Sequence, residues 1–493
     1  MEAPQPSSSE ARRAFFRAFP TIAIAIFVTA IDQTITATAL PAMAAQFGVV
    51  ERISWVVVAY LIAATIAAPI FGRLGDAYGR RPMLFIAFIL QGLGMLAAGL
   101  APSFEALLAG RALHGFGGGA LLTLAMALIG ESVPARERGR YQAYLVACFM
   151  GASAAGPLAG GWLTQSFGWR WVFLAGLPLI LVGFAMAWRL PKRGLMGGSF
   201  RFDAAGTALF TLFVALLLLM LDRAQRMNPA DYAVALGFGL AGAVALWALL
   251  VIERRVPDPL LPLPVLTDPV IWRTNLLAAC VSGTMVSLIS FLPLYLSVVR
   301  GVPIATVGAM LLPMSLGGGL GALASGTFLA RTGRNMLLPS LGLVLATVVL
   351  CVMAFGAGRI SLTWFPWLLA LSSLGFGCTF PAVQTTVQVA AGAARLGVAT
   401  ASVQFMRNLG AAAGTAVLGA LIFVAFALAD AEVAERFASA MRGGREALGN
   451  LPAAERAVMA EGLAVGFRAM FAGAAVMTGV AAVLAFRVPL RRV

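Results

Sequence analysis

Two ionisable side chains lie where the chain should be surrounded by hydrocarbon. Asp32 lies in the apolar run 17–41, and Arg111 lies in the apolar run 107–130. At 1.5 Å per residue, Asp32 is roughly 22 Å from the start of its helix. A carboxylate at that depth is costly unless it pairs, takes up a proton or faces water. Asp32 is therefore either a carboxylate that exchanges protons and substrate or a structural acid tied to a neighbouring helix.

Arg111 and His114 extend Asp32 into a candidate proton-coupling cluster. If the first and fourth runs start on opposite sides of the bilayer, Arg111 lies at a depth similar to that of Asp32, and the two charges reduce each other's desolvation cost. His114, one helical turn beyond Arg111, is the only histidine of the chain. It is either a buried neutral group or a proton relay. Four further side chains are candidates for lining a cavity: Gln33, Tyr60, Phe149 and Tyr295.

The composition indicates an integral membrane protein built only from helices. Of the 493 residues, 60% are hydrophobic and 11% are charged, and the mean hydropathy is +0.91, which no soluble domain approaches. Apolar segments long enough to cross a bilayer recur along the whole chain. The fourteen predicted spans are 17–41, 54–72, 82–101, 107–130, 141–164, 169–190, 204–222, 231–252, 272–299, 304–330, 335–356, 362–388, 397–428 and 466–488.

The distribution of basic residues predicts the orientation. With the N-terminus in the cytoplasm, segments on that side hold 22 of the 35 Lys and Arg residues, whereas outer segments hold 11. Cytoplasmic loops carry such an excess, so both termini are expected there. The net charge of +15 does not indicate nucleic-acid binding, because the arginines lie between spans instead of along one polar face.

No pattern in the sequence predicts an enzyme or a metal site. The four cysteines all fall within predicted spans, where they are expected to be small buried side chains. There is no nucleophile with a nearby base, no metal cluster and no phosphate-binding loop. We therefore expect a protein without a cofactor.

The charged stretch 72–82 interrupts two apolar runs and is expected to form a short water-facing turn. This stretch resembles the G-x-L-x-D-x-x-G-R-R loop of the major facilitator superfamily. The residues that match at that spacing are Gly72, Asp76, Gly79, Arg80 and Arg81. The resemblance extends to the stretch 110–119, similar to the fourth-helix motif of that superfamily, although His114 stands where the family usually has glutamine. Gly156, Pro157, Gly160 and Gly161 resemble the signature of its antiporters.

Together with the span count, these motifs resemble the branch of drug:proton antiporters with 14 spans. The resemblance implies a major facilitator fold with 6+2+6 helices and both termini cytoplasmic. The expected divisions are a cytoplasmic tail 1–16, a six-helix bundle 17–190, linkers and an inserted hairpin 191–271, a second bundle 272–488 with an extracytoplasmic loop 429–465, and a tail 489–493.

The resemblance also implies a function: export of lipophilic drugs across the cell membrane, driven by the proton gradient, by a monomer. Asp32 would exchange protons against substrate, Arg111 would tune it, and Asp76 with Arg80 and Arg81 would latch the cytoplasmic side. The absence of acids from 272–330 favours monocationic or neutral substrates. Arg407 either closes a cytoplasmic gate or extends to that interface. An alternative is a proton-driven exporter dedicated to one metabolite, siderophore or antibiotic.

Three weak internal matches predict that the second bundle repeats the first. Gly326 and Gly333 repeat Gly72 and Gly79 at an offset of 254. The segment 374–377 repeats 114–117 at an offset of 260, and 411–414 repeats 153–156 at an offset of 258. Nearly constant offsets indicate duplication of a six-span unit, with the substrate held between the halves.

Overall fold

The computed structural model describes residues 8–49, 52–53, 55–190, 202–224, 229–356, 359–430, 453–490 and 492. Within these residues the regular secondary structure is helical, apart from one isolated bridge between Arg334 and Arg492. Turns and loops connect the helices. The helices are α1 Ser8–Phe47, α2 Trp55–Tyr78, α3 Arg80–Gly99, α4 Phe104–Ser132, α5 Ala135–Phe167, α6 Trp171–Leu174, α7 Leu177–Ala187, α8 Ala204–Ala224, α9 Pro229–Glu253, α10 Leu263–Leu266, α11 Pro269–Leu294, α12 Ile304–Thr332, α13 Leu337–Gly356, α14 Phe365–Ala391, α15 Leu396–Ala429 and α16 Ala453–Arg487. A π-turn, Tyr295–Val299, extends α11, and a 3-10 turn, Ala393–Arg395, precedes α15.

Within the described residues, thirteen helices are long and apolar enough to cross a bilayer. The predicted sixth span, 169–190, is the exception, because it is divided into α6 and α7 and its apolar part is only Trp171–Ala187. Pro178, which has no amide hydrogen to donate, stands in the first turn of α7 and explains the division. The count of fourteen and the side on which each terminus lies remain predictions.

The predicted turn at 72–82 was wrong, and two helices extend beyond the predicted spans. The stretch 72–78 was expected to be a turn, but it forms the last two turns of α2, and only Gly79, at φ +90°, separates α2 from α3. The first helix begins at Ser8, inside the predicted tail 1–16. The last begins at Ala453, inside the predicted loop 429–465, because good helix formers precede its apolar part. Residues 431–452 of that loop and 191–201 of the predicted linker lie outside the described residues.

Buried apolar side chains form separate clusters in the two halves of the chain. Two clusters draw only on residues between Ala18 and Leu260, and a third draws only on residues between Val265 and Ala485. The predicted division into two bundles requires such a separation, although the division itself stays a prediction. The hairpin of α8 and α9 packs against α2 and α15, with the rings of Phe210 and Phe405 5.4 Å apart.

Glycines bring α4 into backbone contact with two neighbours. A Cβ atom on Gly119 would overlap the backbone of Ala64 in α2, and one on Gly117 would overlap Gln91 in α3. In the second half, Gly377 meets Gly318 of α12 and Gly375 meets Gly342 of α13 in the same way. Equivalent contacts therefore relate 117 to 375 and 119 to 377. The offset at the fourth helix is 258, and the predicted offset of 260 was wrong.

Candidate functional site

Asp32 and Arg111 form an ion pair in the interior of the first half. Nη1 of Arg111 donates to both carboxylate oxygens of Asp32, at 3.1 and 2.9 Å. Its Nε donates to the carbonyl of Val56 in α2 at 3.1 Å, so one guanidinium joins α1, α2 and α4. Both charged side chains are only 1% exposed. The structure therefore brings the two predicted residues together, and it encloses them in this conformation.

Two aromatic rings pack against the Arg111 guanidinium. Its Cζ lies 4.5 Å from the ring centroid of Tyr60 and 5.5 Å from that of Phe173. Cations are attracted to aromatic faces, and the rings also exclude water from the pair. Tyr60 is itself buried beside the pair. Phe173 was absent from the sequence prediction, because only the packing of α6 against α3 and α5 brings it to the pair.

The hydrogen bonds of His114 fix its tautomer. Nη1 of Arg111 lies 3.0 Å from Nδ1, and the side-chain amide of Gln91 lies 3.0 Å from Nε2. An arginine can only donate, so Nδ1 is the acceptor and Nε2 carries the proton. The amide of Gln91 must then present its oxygen to Nε2, which also gives a partner to an oxygen that otherwise has none.

His114 is thus a neutral hydrogen-bonding group in this conformation, and it orients Arg111. Its Nε2 lies 3.7 Å from Oδ1 of Asp32, close enough for contact after a small rearrangement. Thr36 Oγ1 also donates to Oδ1, at 3.4 Å. The carboxylate is therefore surrounded by donors from α1 and α4, and no other acid pairs with this cluster among the described residues.

A second charged cluster occupies the opposite end of α2. The carboxylate of Asp76 accepts hydrogen bonds from the backbone amides of Gly397 at 2.8 Å and Val398 at 3.0 Å. These amides are unpaired donors at the N-terminus of α15, where a negative charge is favourable. Arg80 pairs with Asp76 and, through Nε at 3.0 Å, with Glu131. Asp76 consequently joins the two halves of the chain.

Arg81 does not belong to this cluster, contrary to the prediction that it helps to form the latch. Its Nη2 donates to the carbonyl of Trp188 at 3.1 Å, and its guanidinium lies 5.9 Å from that ring. The side chain therefore anchors the end of α7 to α3. Arg80 is the arginine that supports Asp76.

The halves touch at the end of the molecule that carries Asp76. A Cβ atom on Gly72 would lie 2.7 Å from the carbonyl of Gly397, and one on Gly139 of α5 would overlap Leu329 of α12. Nearer the middle, Asn408 donates to Thr65 at 3.0 Å. These contacts all lie between the Asp76 end and the middle of each helix. The space between the halves is therefore closed at that end.

Two glycines of the Gly-Pro segment hold α5 against the helix that carries Asp32. A Cβ atom on Gly156 would overlap the hydroxyl of Thr34, and one on Gly160 would overlap Thr38 and lie 2.7 Å from the carbonyl of Ile35. A Cβ atom on Gly161 would have no neighbouring atom within 4 Å. Pro157, likewise, is exposed. Of the four residues of this motif, only Gly156 and Gly160 thus form a close contact between α5 and α1.

Four predicted residues remain, and they differ in exposure. Gln33 is exposed and Phe149 is half-buried, as lining residues would be. Tyr295 is fully buried, with its ring 5.4 Å from Phe365 and 5.1 Å from Phe467, so it is a core residue instead of a cavity residue. Arg407 does not extend to the interface, since its Cζ lies 4.4 Å from the ring of Phe380, halfway along α14.

Comparison with known proteins identifies the fold and the family. The sequence profile described as "Major Facilitator Superfamily" matches residues 22–415. The chain belongs to the major facilitator superfamily. Members of this superfamily are transporters, and the thirteen candidate spans among the described residues make this chain a multi-pass membrane protein.

Curated members of the superfamily resemble the chain over most of its length. An uncharacterized MFS-type transporter of Mycobacterium tuberculosis is 32% identical over 83% of this chain, which spans 59% of that relative's length. The multidrug transporter protein MdtP of Bacillus subtilis is 29% identical over 81% of this chain and 74% of its own length. The fucose:proton symporter FucP of E. coli has the same fold, with a TM-score of 0.63 at 13% identity, covering 96% of this chain and 99% of its own.

The contact between α5 and α1 predicts unequal effects of two adjacent glycines. Gly160→Ala should lower the apparent melting temperature in detergent by several degrees, because overpacking of a close helix contact costs roughly 1–3 kcal/mol. Gly161→Ala, the matched control, should leave it unchanged, since the added methyl meets nothing within 4 Å. Equal melting temperatures for the two variants would contradict the assignment of Gly160 to this contact.

The Asp76 cluster predicts that Asp76→Asn opens that end of the molecule. An amide offers one acceptor where two backbone donors and Arg80 require a carboxylate, and hydrogen bonds to charged groups contribute about 1.5–3 kcal/mol. Thr400 is buried at this end beside Gln388, whose amide donates to Met126 of the first half. A cysteine at Thr400 should react roughly tenfold faster with a maleimide in the Asp76→Asn background. All variants would be made after replacing the four native cysteines.

Asp258→Asn is the control for this experiment. Asp258 also pairs with an arginine, Arg73, at 3.1 Å, but that pair is partly exposed, so its loss should be nearly neutral. Labelling that stays the same in Asp76→Asn, or that rises as much in Asp258→Asn, would remove Asp76 from the closure of this end.

Proposed function

We propose that this transporter is a proton-coupled antiporter that exports lipophilic drugs or other toxic compounds from the cell by alternating access. The observation that carries the proposal is the enclosed Asp32–Arg111 pair, in which both side chains are 1% exposed. Burying an aspartate and an arginine within the membrane costs free energy, and such residues commonly mark proton and ion pathways.

The pair provides a way to exchange a proton against cargo. In this conformation Arg111 donates to both oxygens of Asp32 and so occupies the place where a proton or a group of the cargo would bind. If the helices separate, water reaches Asp32, and either a proton or a polar group of the cargo replaces Arg111. A carboxylate that binds one or the other, and not both, couples their opposite movements.

The contacts around the pair favour a mobile α1. Gly156 and Gly160 let α5 lie directly against the Thr34 and Thr38 turns, so that one helix can shift along the other without large side chains in the way. Asp76 closes the other end of the molecule through amides of α15. With the predicted orientation, this conformation is closed to the cytoplasm.

We also propose that this chain belongs to the branch of the superfamily whose members have fourteen spans. The segment Trp171–Ala187 would supply the crossing that is missing from the thirteen long helices. An even number of crossings puts both termini on one side, as the distribution of basic residues predicts. The α8–α9 hairpin then stands between two groups of six.

Asp32→Asn should abolish the exchange while the protein still folds. In proteoliposomes with an imposed pH gradient, we expect ethidium movement to fall at least a hundredfold and the accompanying proton movement, followed with an internal pH dye, to disappear. Asparagine has nearly the same shape but cannot take up a proton. Because it leaves the buried Arg111 without its counter-charge, the melting temperature should also fall, and transport is compared at a temperature at which both proteins are folded.

Glu105→Gln serves as the matched control, because Glu105 is an exposed acid at the start of α4 whose 3.9 Å pair with Arg52 is weak. It should transport as the wild type does. Unchanged ethidium export by Asp32→Asn would show that this carboxylate is structural, and proton coupling at Asp32 would then be wrong.

A further inference from the structure

Arg407 is a half-buried cation with an enclosed Nε, and the described residues provide no acid for it. It lies eleven residues into α15, about 16 Å from the start of the helix and hence near the middle of the bilayer. Its Nε is buried without a hydrogen-bond partner, and the face of its guanidinium lies over Phe380. No Asp or Glu occurs between residues 269 and 429, so α11 to α15 supply no counterion.

Three other buried or half-buried arginines within the described residues differ from Arg407 in this respect. Arg111 has Asp32, and Arg80 has Asp76 and Glu131. Arg138 donates to the backbone carbonyl oxygens of Val133 and Gly130. An aromatic face offsets only part of the cost of burying a charge, so the environment of Arg407 is incomplete.

Arg407 lines a cavity whose unpaired polar atoms are donors. The space is small, with a volume of about 10 Å³, and its lining includes Ala278 and Val281 of α11 and Thr379 and Gln384 of α14. Gln384 is buried, with only 7% of its surface exposed, and its side-chain nitrogen has no hydrogen-bond partner either. The hydroxyl of Thr379 already donates to the carbonyl of Phe376 at 2.7 Å. A cation and an unpaired amide donor between apolar walls are suited to an anionic group.

In the internal repeat, this cavity of the second half corresponds to the position of the Asp32 cluster in the first half. Gly156 meets Thr34 in the first half, and Gly414, at the offset of 258, meets Gly283 in the second. Position 283 therefore corresponds to 34, and Val281 corresponds to Asp32. The second half thus has an apolar residue where the first has its acid. The neighbour of Arg407, Asn408, reaches Thr65 in the first half at 3.0 Å, so the cavity lies beside the space between the halves.

We propose that Arg407 and Gln384 hold an acidic group of the transported compound, so that the substrates include lipophilic carboxylic acids and zwitterions. The inference rests on the proposed export function and narrows its substrate class. In this conformation the cavity has room for about one water molecule. It therefore receives the acidic end of the compound only as the halves separate, and the remainder of the compound lies between the halves.

The test compares rhodamine B, which carries a carboxylate, with its ethyl ester, which does not. Equilibrium binding to the detergent-solubilised full-length protein is followed by fluorescence, and uptake into proteoliposomes is measured under a pH gradient. Arg407→Gln should weaken rhodamine B binding at least tenfold and leave ester binding within twofold. Arg407→Lys should restore part of the affinity, because it restores the charge without the planar fork of donors.

Arg395→Gln is the matched control, since it removes an exposed positive charge that precedes the same helix. It should change neither affinity. Gln384→Leu tests the second donor and should weaken rhodamine B binding by a smaller factor. Should Arg407→Gln fail to fold, the lysine and Gln384 variants still decide the question.

The two proposals fail in different ways. If the wild type binds rhodamine B through Arg407 but moves neither dye, the export function is wrong and the anion site stands. If Arg407→Gln weakens both dyes equally, or the wild type binds the ester and not the acid, the anion site is wrong. Chloride is the other possible occupant. Binding of both dyes that requires chloride and is lost in gluconate would also overturn the inference.

Discussion

An ion pair that is shut away from water governs the organisation of the first half. Because the bilayer offers no solvent for Asp32, the chain must supply a cation, and Arg111 can do so only if α4 lies against α1 and α2. The glycines of α4 make that approach possible, since any larger residue at 115 or 119 would push α2 away. Packing and charge compensation therefore depend on the same few positions.

The two ends of α2 are stabilised by different kinds of electrostatics. At one end the carbonyl of Val56 accepts from Arg111, and the charge balance is made by two side chains. At the other end Asp76 is balanced by Arg80 and by backbone amides of α15, which belong to the other half. The first arrangement holds one bundle together, whereas the second can be broken without disturbing either bundle. That difference suits the second for a contact that opens and closes.

The sequence was informative where a property of single residues decides the structure. The depth of Asp32 and Arg111 follows from helix rise alone, so their proximity was predicted. Gln91 and Phe173 were missed, because their positions depend on how α3 and α6 pack, and neither has an unusual residue type. The stretch 72–78 was misassigned because its charges suggested a loop. They are tolerated in a helix because Asp76 and Arg80 compensate each other and meet α15.

The second half could be read less fully because repeated folds need not repeat chemistry. The glycine contacts of α4 recur in α14, yet the positions equivalent to Arg111 and His114 at an offset of 258 are Leu369 and Ser372. One half thus carries a balanced pair and the other an unbalanced cation. If the halves close around cargo without water, a compound that lacks an anionic group leaves Arg407 unpaired. Selectivity then comes from the cost of enclosing the wrong compound, in addition to contacts with the right one.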